Sequence, residues 1–212
     1  MKKSIIVFSF TSLILGLSSC KGDSSSEDKT ETQKEEKACF YSYNSAASVM
    51  EWTAFKFTEK TPVKGTFNDI SIDGMEKSDD PKKMIESLTF SISTASVETQ
   101  NEERNGKIAK LFFGTIGTDE ITGKVKSLSD NGKATIQIEM NKMKQDVIGD
   151  YTLQDGKFSF NATIDVLKWN AGTGISTLNT MCKDLHTGAD GKSKLWSEVD
   201  LSFTTELLSD CN

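Results

Sequence analysis

The chain has 212 residues, with 25 Lys and Arg against 31 Asp and Glu, a formal net charge of -6 and a single histidine, His186. That length gives one domain of ordinary size once a leader is set aside, large enough to bury its own core. The acidic balance argues against nucleic acid, which calls for a basic stripe, and one imidazole leaves little for a Ser-His-Asp triad or a multi-histidine metal site.

Residues 1–19 predict a signal peptide. Met1-Lys2-Lys3 is basic, and Ser4 to Leu17 is mostly apolar and shorter than the ~20 residues that span a bilayer. Leu17-Ser18-Ser19-Cys20 is similar to a bacterial lipobox, which makes Cys20 the expected lipidation site; the other reading is an ordinary leader with a free Cys20. An acylated Cys20 would anchor the chain at a membrane. Residues 20–38 read as that cysteine followed by a disordered tether, because Lys21 to Lys37 carries nothing that can bury area. Asp23, Glu27 and Asp28 resemble an acidic surface-sorting signal and equally suit a plain linker. The expected location is the cell envelope, on the periplasmic side of the outer membrane or at the cell surface.

A β-domain is expected over residues 39–212. Val49 to Asp69 reads as a hairpin. Val49, Thr53, Phe55 and Phe57 share one face of its first strand and Met50, Trp52, Ala54 and Lys56 the other. Pro62 suits the start of the second strand, where Val63, Gly65 and Phe67 alternate with Lys64, Thr66 and Asn68. Asp73 to Lys83 reads as a charged loop, and Leu88, Phe90 and Ile92 mark a half-buried strand. Asn101 is placed to cap a short helix whose buried side would carry Ile108, Leu111 and Phe112. A meander follows. One strand runs from Glu120 to Leu128, and the next has Ala134, Ile136, Ile138 and Met140 on one face, joined through the Asn131-Gly132 turn. Val147 to Leu153 and Lys157 to Lys168 continue it. Ile175, Leu178, Cys182 and Leu185 then form a helical stripe that Gly188 should end, before a final strand from Ser197 to Leu207.

About eight antiparallel strands with two short helices predict an all-β closed barrel, which removes exposed edges and leaves room inside for side chains or one slender ligand. In such a barrel the first and last strands are antiparallel neighbours. The start of one then meets the end of the other, so Cys39–Cys211 is the preferred disulfide, with Cys182–Cys211 as the alternative.

Three segments carry a family resemblance: Val63-Lys64-Gly65-Thr66-Phe67; Asn101 to Asn105 with Leu111-Phe112-Phe113; and Phe158-Ser159-Phe160 running into Asp165 to Trp169. Together they resemble the YceI-like family of lipocalin-like polyisoprenoid-binding proteins, over most of Ala47 to Leu208. The resemblance implies an extended eight-stranded antiparallel barrel with a long apolar cavity that holds isoprenoid lipid. The candidate lining residues are Phe55, Phe57, Phe67, Phe90, Phe112, Phe113, Ile138, Phe158, Phe160 and Ile164.

The expected ligand is thus an isoprenoid or other long apolar lipid, with no metal or other cofactor. The expected partners are that lipid and a membrane reached through the anchor, without nucleic acid, and a dimer is allowed. Histidines that the family often carries in the first turn and after the arginine are absent: Glu59-Lys60-Thr61 and Lys107 to Lys110 stand there, which leaves Lys60, Lys64 and Arg104 as cations for a head group or as plain surface charges. Two other readings compete. A barrel filled by its own aromatics would be a structural or protein-interaction module. An enzyme is disfavoured by the single histidine and the lack of a clustered carboxylate pair.

Overall fold

The computed structural model describes residues 39–211. The expected leader, the expected lipidation site Cys20 and the expected tether lie outside the described residues.

Among the described residues there are twelve strands: β1 (Cys39–Ser42), β2 (Val49–Lys56), β3 (Thr61–Phe67), β4 (Ile70–Asp73), β5 (Thr89–Ser93), β6 (Val97–Glu98), β7 (Glu120–Ser129), β8 (Lys133–Met140), β9 (Met143–Gln154), β10 (Lys157–Asp165), β11 (Leu195–Glu206) and β12 (Leu208–Cys211). The α-helices are α1 (Pro81–Glu86), α2 (Glu102–Lys107), which continues as a π-helix over Ile108–Phe113, and α3 (Gly172–Met181). Ten strands form one antiparallel ladder in the order β4-β5-β7-β8-β9-β10-β11-β2-β3-β6. Its two ends are the same place. β3 runs on into β4 and β5 into β6, and both β3·β6 and β4·β5 are paired. Between those ladders Asn68 and Asp69 face Ser93 through Ser96, and the bulge is bridged by bonds from Asn68 N to Ser96 O and from Ser93 N to Asp69 O. Counting each bulged pair as one long strand restores the expected eight and closes the ring.

Two features depart from the sequence reading. The segment Asp73 to Lys83 is not wholly loop, because α1 begins at Pro81. The Asp80 carboxylate accepts from Lys82 N and Lys83 N, and Pro81 needs no partner in the first turn. Met84 and Ile85, both without exposed surface, seat α1 across one end of the barrel. The second departure is at α3. It ends at Met181, and a 3-10 turn follows over Lys183–His186. The tighter turn changes the phase of the stripe, so Ile175 and Leu178 pack on the core and Cys182 is buried, but Leu185 points to solvent. Gly188 therefore lies beyond the helix, in a loop closed by its N–H to Lys192 O.

β1 and β12 form a separate two-stranded ribbon in which Cys39 opposes Cys211, and these two cysteines are disulfide-bonded. Cys182 remains a free, buried thiol.

Candidate functional site

The barrel encloses an apolar cavity of about 250 Å³. Phe55, Phe67, Phe90, Phe112, Phe113, Ile138, Phe158, Phe160 and Ile164 line it. Phe57 does not. The β2 wall is instead built from the opposite face, Met50, Trp52 and Ala54, and Phe55 reaches the cavity at the turn end, near Lys60. Both faces of this strand are apolar, so alternation alone could not tell inside from outside. Phe57 leaves the strand with φ 63°, a costly conformation for a bulky residue. Its backbone is held there from both sides: its N–H donates to Lys194 O at 2.9 Å, and its carbonyl accepts from Trp196 Nε1 at 2.7 Å.

Three glycines explain why so many rings leave a void. A Cβ on Gly65 would sit 2.3 Å from Trp52 Cζ2, one on Gly123 would sit 2.2 Å from Phe90 Cζ, and one on Gly149 would sit 2.5 Å from Phe160 Cε2. Gly65 lies directly opposite Trp52, and Gly123 directly opposite Phe90. Each ring therefore lies against bare backbone on a neighbouring strand instead of crossing the lumen. The aromatic contacts fit this arrangement. Phe112 and Phe113 are adjacent in one turn, Tyr151–Phe158 and Phe158–Phe203 join neighbouring strands, and Phe67–Phe113 joins β3 to the helical segment Ile108–Phe113. A barrel plugged by its own aromatics is not what these residues build.

The polarity of the lining is as informative as its shape. Ser202 is the one lining residue with a hydroxyl. The indole N–H groups are already engaged: Trp52 Nε1 donates to Thr66 O at 3.2 Å, Trp169 Nε1 to Ile138 O at 3.1 Å, and Trp196 Nε1 to Phe57 O. The wall can therefore offer contact and exclusion of water but few hydrogen bonds, which suits hydrocarbon and penalises a polar guest.

The two ends differ. Ile85 and Leu88 form a sealed floor beneath α1. At the other end α3 and the start of β11 border a second hollow of about 440 Å³, which shares Ile175, Leu195 and Trp196 with the cavity. Its rim is polar, with Asp165, Ser176, Lys194, Ser197 and Glu198. Lys60 Nζ lies 4.3 Å and Lys194 Nζ 4.6 Å from the Trp196 ring centroid, and Lys60 is also 3.0 Å from Glu198. Of the cations expected near a head group, only Lys60 borders this mouth. Lys64 and Arg104 are exposed and line neither hollow. Lys194 and Trp196 are not singled out by the sequence; a lysine two residues before a tryptophan at a strand start is the available signal.

His186 sits near this end with a buried Nδ1 that has no hydrogen-bond partner. Burial, then the charges of Lys56 and Lys107, hold its pKa below the ordinary value of 6.5. Among the described residues no group of three or more His, Cys, Asp or Glu could hold a metal ion.

The sequence profile of the YceI-like domain matches residues 41–207. The chain belongs to the YceI-like family. Solved structures that resemble it include the following two. BcnA of Burkholderia cenocepacia is 18% identical, with 79% of this chain and 99% of that chain covered and a TM-score of 0.54. A polyisoprenoid-binding domain from Saccharophagus degradans, implicated in plant cell wall breakdown, is 14% identical, with coverages of 83% and 99% and a TM-score of 0.56. At these identities the likeness is one of fold. No curated protein matches the chain.

Proposed function

We propose that this YceI-like protein is an envelope lipoprotein whose barrel binds, sequesters or carries an isoprenoid-type or other long apolar lipid. One observation carries the reading: an internal cavity walled by hydrocarbon, whose indole N–H groups are all spent on backbone carbonyls. A tail enters past Trp196 and comes to rest above Ile85 and Leu88. A polar head group stays at the rim among Lys60, Lys194 and Glu198. The Saccharophagus degradans domain, described as polyisoprenoid-binding, supports the ligand class. The basic, apolar, Leu-Ser-Ser-Cys20 leader supports export and an anchor. No reaction is assigned, because such a carrier works by shielding its guest from water.

Titration with isoprenoid alcohols of increasing length tests this reading. An isoprene unit contributes at most about 3 kcal/mol, from roughly four buried methylene equivalents before ordering costs. Affinity should climb steeply with each added unit and level off once the tail outgrows the lumen. Affinity independent of tail length would refute it.

A further inference from the structure

The elements around the mouth carry a second pattern that lipid binding inside the barrel does not require. Four large apolar side chains are exposed there: Met143 at the start of β9, Leu167 in the 3-10 turn after β10, Met181 at the end of α3, and Leu185. The elements carrying Met143 and Leu167 adjoin each other, and the turn carrying Leu185 is tied to the mouth where Lys194 N–H donates to His186 O at 3.0 Å. Gln145 Nε2 donates to Lys168 O at 2.9 Å and Asn141 Nδ2 to Trp169 O at 2.9 Å, which ties the β8–β9 turn to the 166–169 turn. Leu167 in turn borders the outer hollow beside Ile175 and Trp196.

Each of the four has a lysine within two residues: Lys142 and Lys144 flank Met143, Lys168 follows Leu167, and Lys183 lies between Met181 and Leu185. Among the described residues, Lys142, Lys168, Lys183 and Lys194 form no ion pair, whereas Lys144 is paired with Glu139 and Lys60 with Glu198. Asp165 and Asp184 are the nearest carboxylates on the same elements, and Asp165 is occupied with the Leu167 N–H at 3.0 Å. Of the five exposed apolar residues elsewhere among the described residues, Phe40 has no charged residue within two positions, Met75 lies beside Glu76 with the nearby Lys77 paired to Asp210, and the other three have acidic company. Val49 lies near Glu51, Ile148 between Asp146 and Asp150, and Leu208 between Glu206 and Asp210. On a chain of net charge -6, unpaired lysines interleaved with exposed apolar side chains are thus confined to the open end.

We infer that the mouth face, Met143, Leu167, Met181 and Leu185 with Lys142, Lys168 and Lys183, docks on an anionic lipid bilayer, presenting the cavity to the membrane it loads from. The apolar side chains enter the head-group boundary and the lysines meet the surface charge. The inference rests on the lipid-carrying reading above. It adds what that reading lacks, a reason for an apolar guest to cross from bilayer to lumen without traversing water.

The test uses the full-length protein with Cys20→Ser, so that no acyl chain contributes, and vesicles of phosphatidylcholine alone or with an equimolar share of phosphatidylglycerol. Co-sedimentation should favour the anionic vesicles and fall as salt is raised. The triple substitution Lys142→Gln, Lys168→Gln, Lys183→Gln should weaken binding about a hundredfold, about fivefold for each lysine. A matched triple at the sealed end (Lys82→Gln, Lys83→Gln, Lys157→Gln) should leave it unchanged. Equal binding to both vesicle types, or equal loss in both triples, overturns the proposal. Lipid extracted from the same preparations separates the two claims. Bound lipid without vesicle binding removes the docking face alone; selective vesicle binding by lipid-free protein upholds the face and removes the cargo.

Discussion

Gly65→Ala is the sharpest probe of how the cavity is kept open. The added methyl would lie 2.3 Å from Trp52 Cζ2, 2.7 Å from Trp52 Cε2 and 2.7 Å from the Glu98 carbonyl oxygen. None of these separations is tolerable, so either the indole swings into the lumen, breaking its bond to Thr66 O, or β3 and β6 part. Overpacking of this kind costs about 1–3 kcal/mol. In a domain of this size each kcal/mol moves the melting temperature by about 2–4 °C, so a fall of about 2–12 °C is expected. Trp52→Phe shortens the offending ring. In that background the methyl meets only the Glu98 carbonyl, and the penalty should shrink by about 1 kcal/mol or more. Urea denaturation followed by far-ultraviolet circular dichroism measures all four members of the cycle. An unchanged midpoint for Gly65→Ala, or a penalty that is additive within about 0.5 kcal/mol, would refute the role given to the glycine.

Ala54→Trp places an indole in the cavity itself. Co-purified lipid should drop below about a tenth of the wild-type amount while the β-sheet spectrum is retained, since a ring of this size takes most of a small pocket; wild-type lipid content would contradict the position assigned to Ala54. His186 has its pKa held below the ordinary 6.5, so the unfolded chain binds its proton first and stability should decline as pH falls from about 7 towards 5. His186→Leu should remove that part of the slope, whereas identical slopes from denaturation at each pH would show that the histidine is not shielded. Cys211→Ser opens a bridge spanning 172 residues of sequence, for which the loop-entropy ceiling is about 5 kcal/mol. The melting temperature should fall, and hydrogen exchange should show β1 and β12 fraying before the barrel; protection of those strands at wild-type level would contradict this.

The period-two runs made the barrel legible, because strands such as Phe158 to Ile164 face hydrocarbon on one side and water on the other. Asn101 announced α2, and its side chain does accept from Arg104 N. What stayed hidden was hidden for identifiable reasons. Asp80-Pro81 is a sound helix start, but it is followed by only one turn of apolar sequence, too short for periodicity to register against the surrounding charge. The inward face of β2 was ambiguous because both faces are apolar. Phe57 departs from its strand through a positive φ that Trp196 and Lys194, about 140 positions away, hold in place together with the local Lys60 N–H. The bulge at Asn68–Asp69 carries no glycine or proline to mark it. Most of all, hollowness depends on where rings lie against glycines on the neighbouring strand, which composition cannot express.

The most direct measurement is organic extraction and mass spectrometry of the purified full-length protein, with the extracted lipid counted against protein. Near-stoichiometric recovery of one class of lipid with a long, branched apolar tail is the outcome this account expects. Protein that repeatedly yields no lipid, and whose melting temperature does not rise when isoprenoid lipid is supplied, would contradict it.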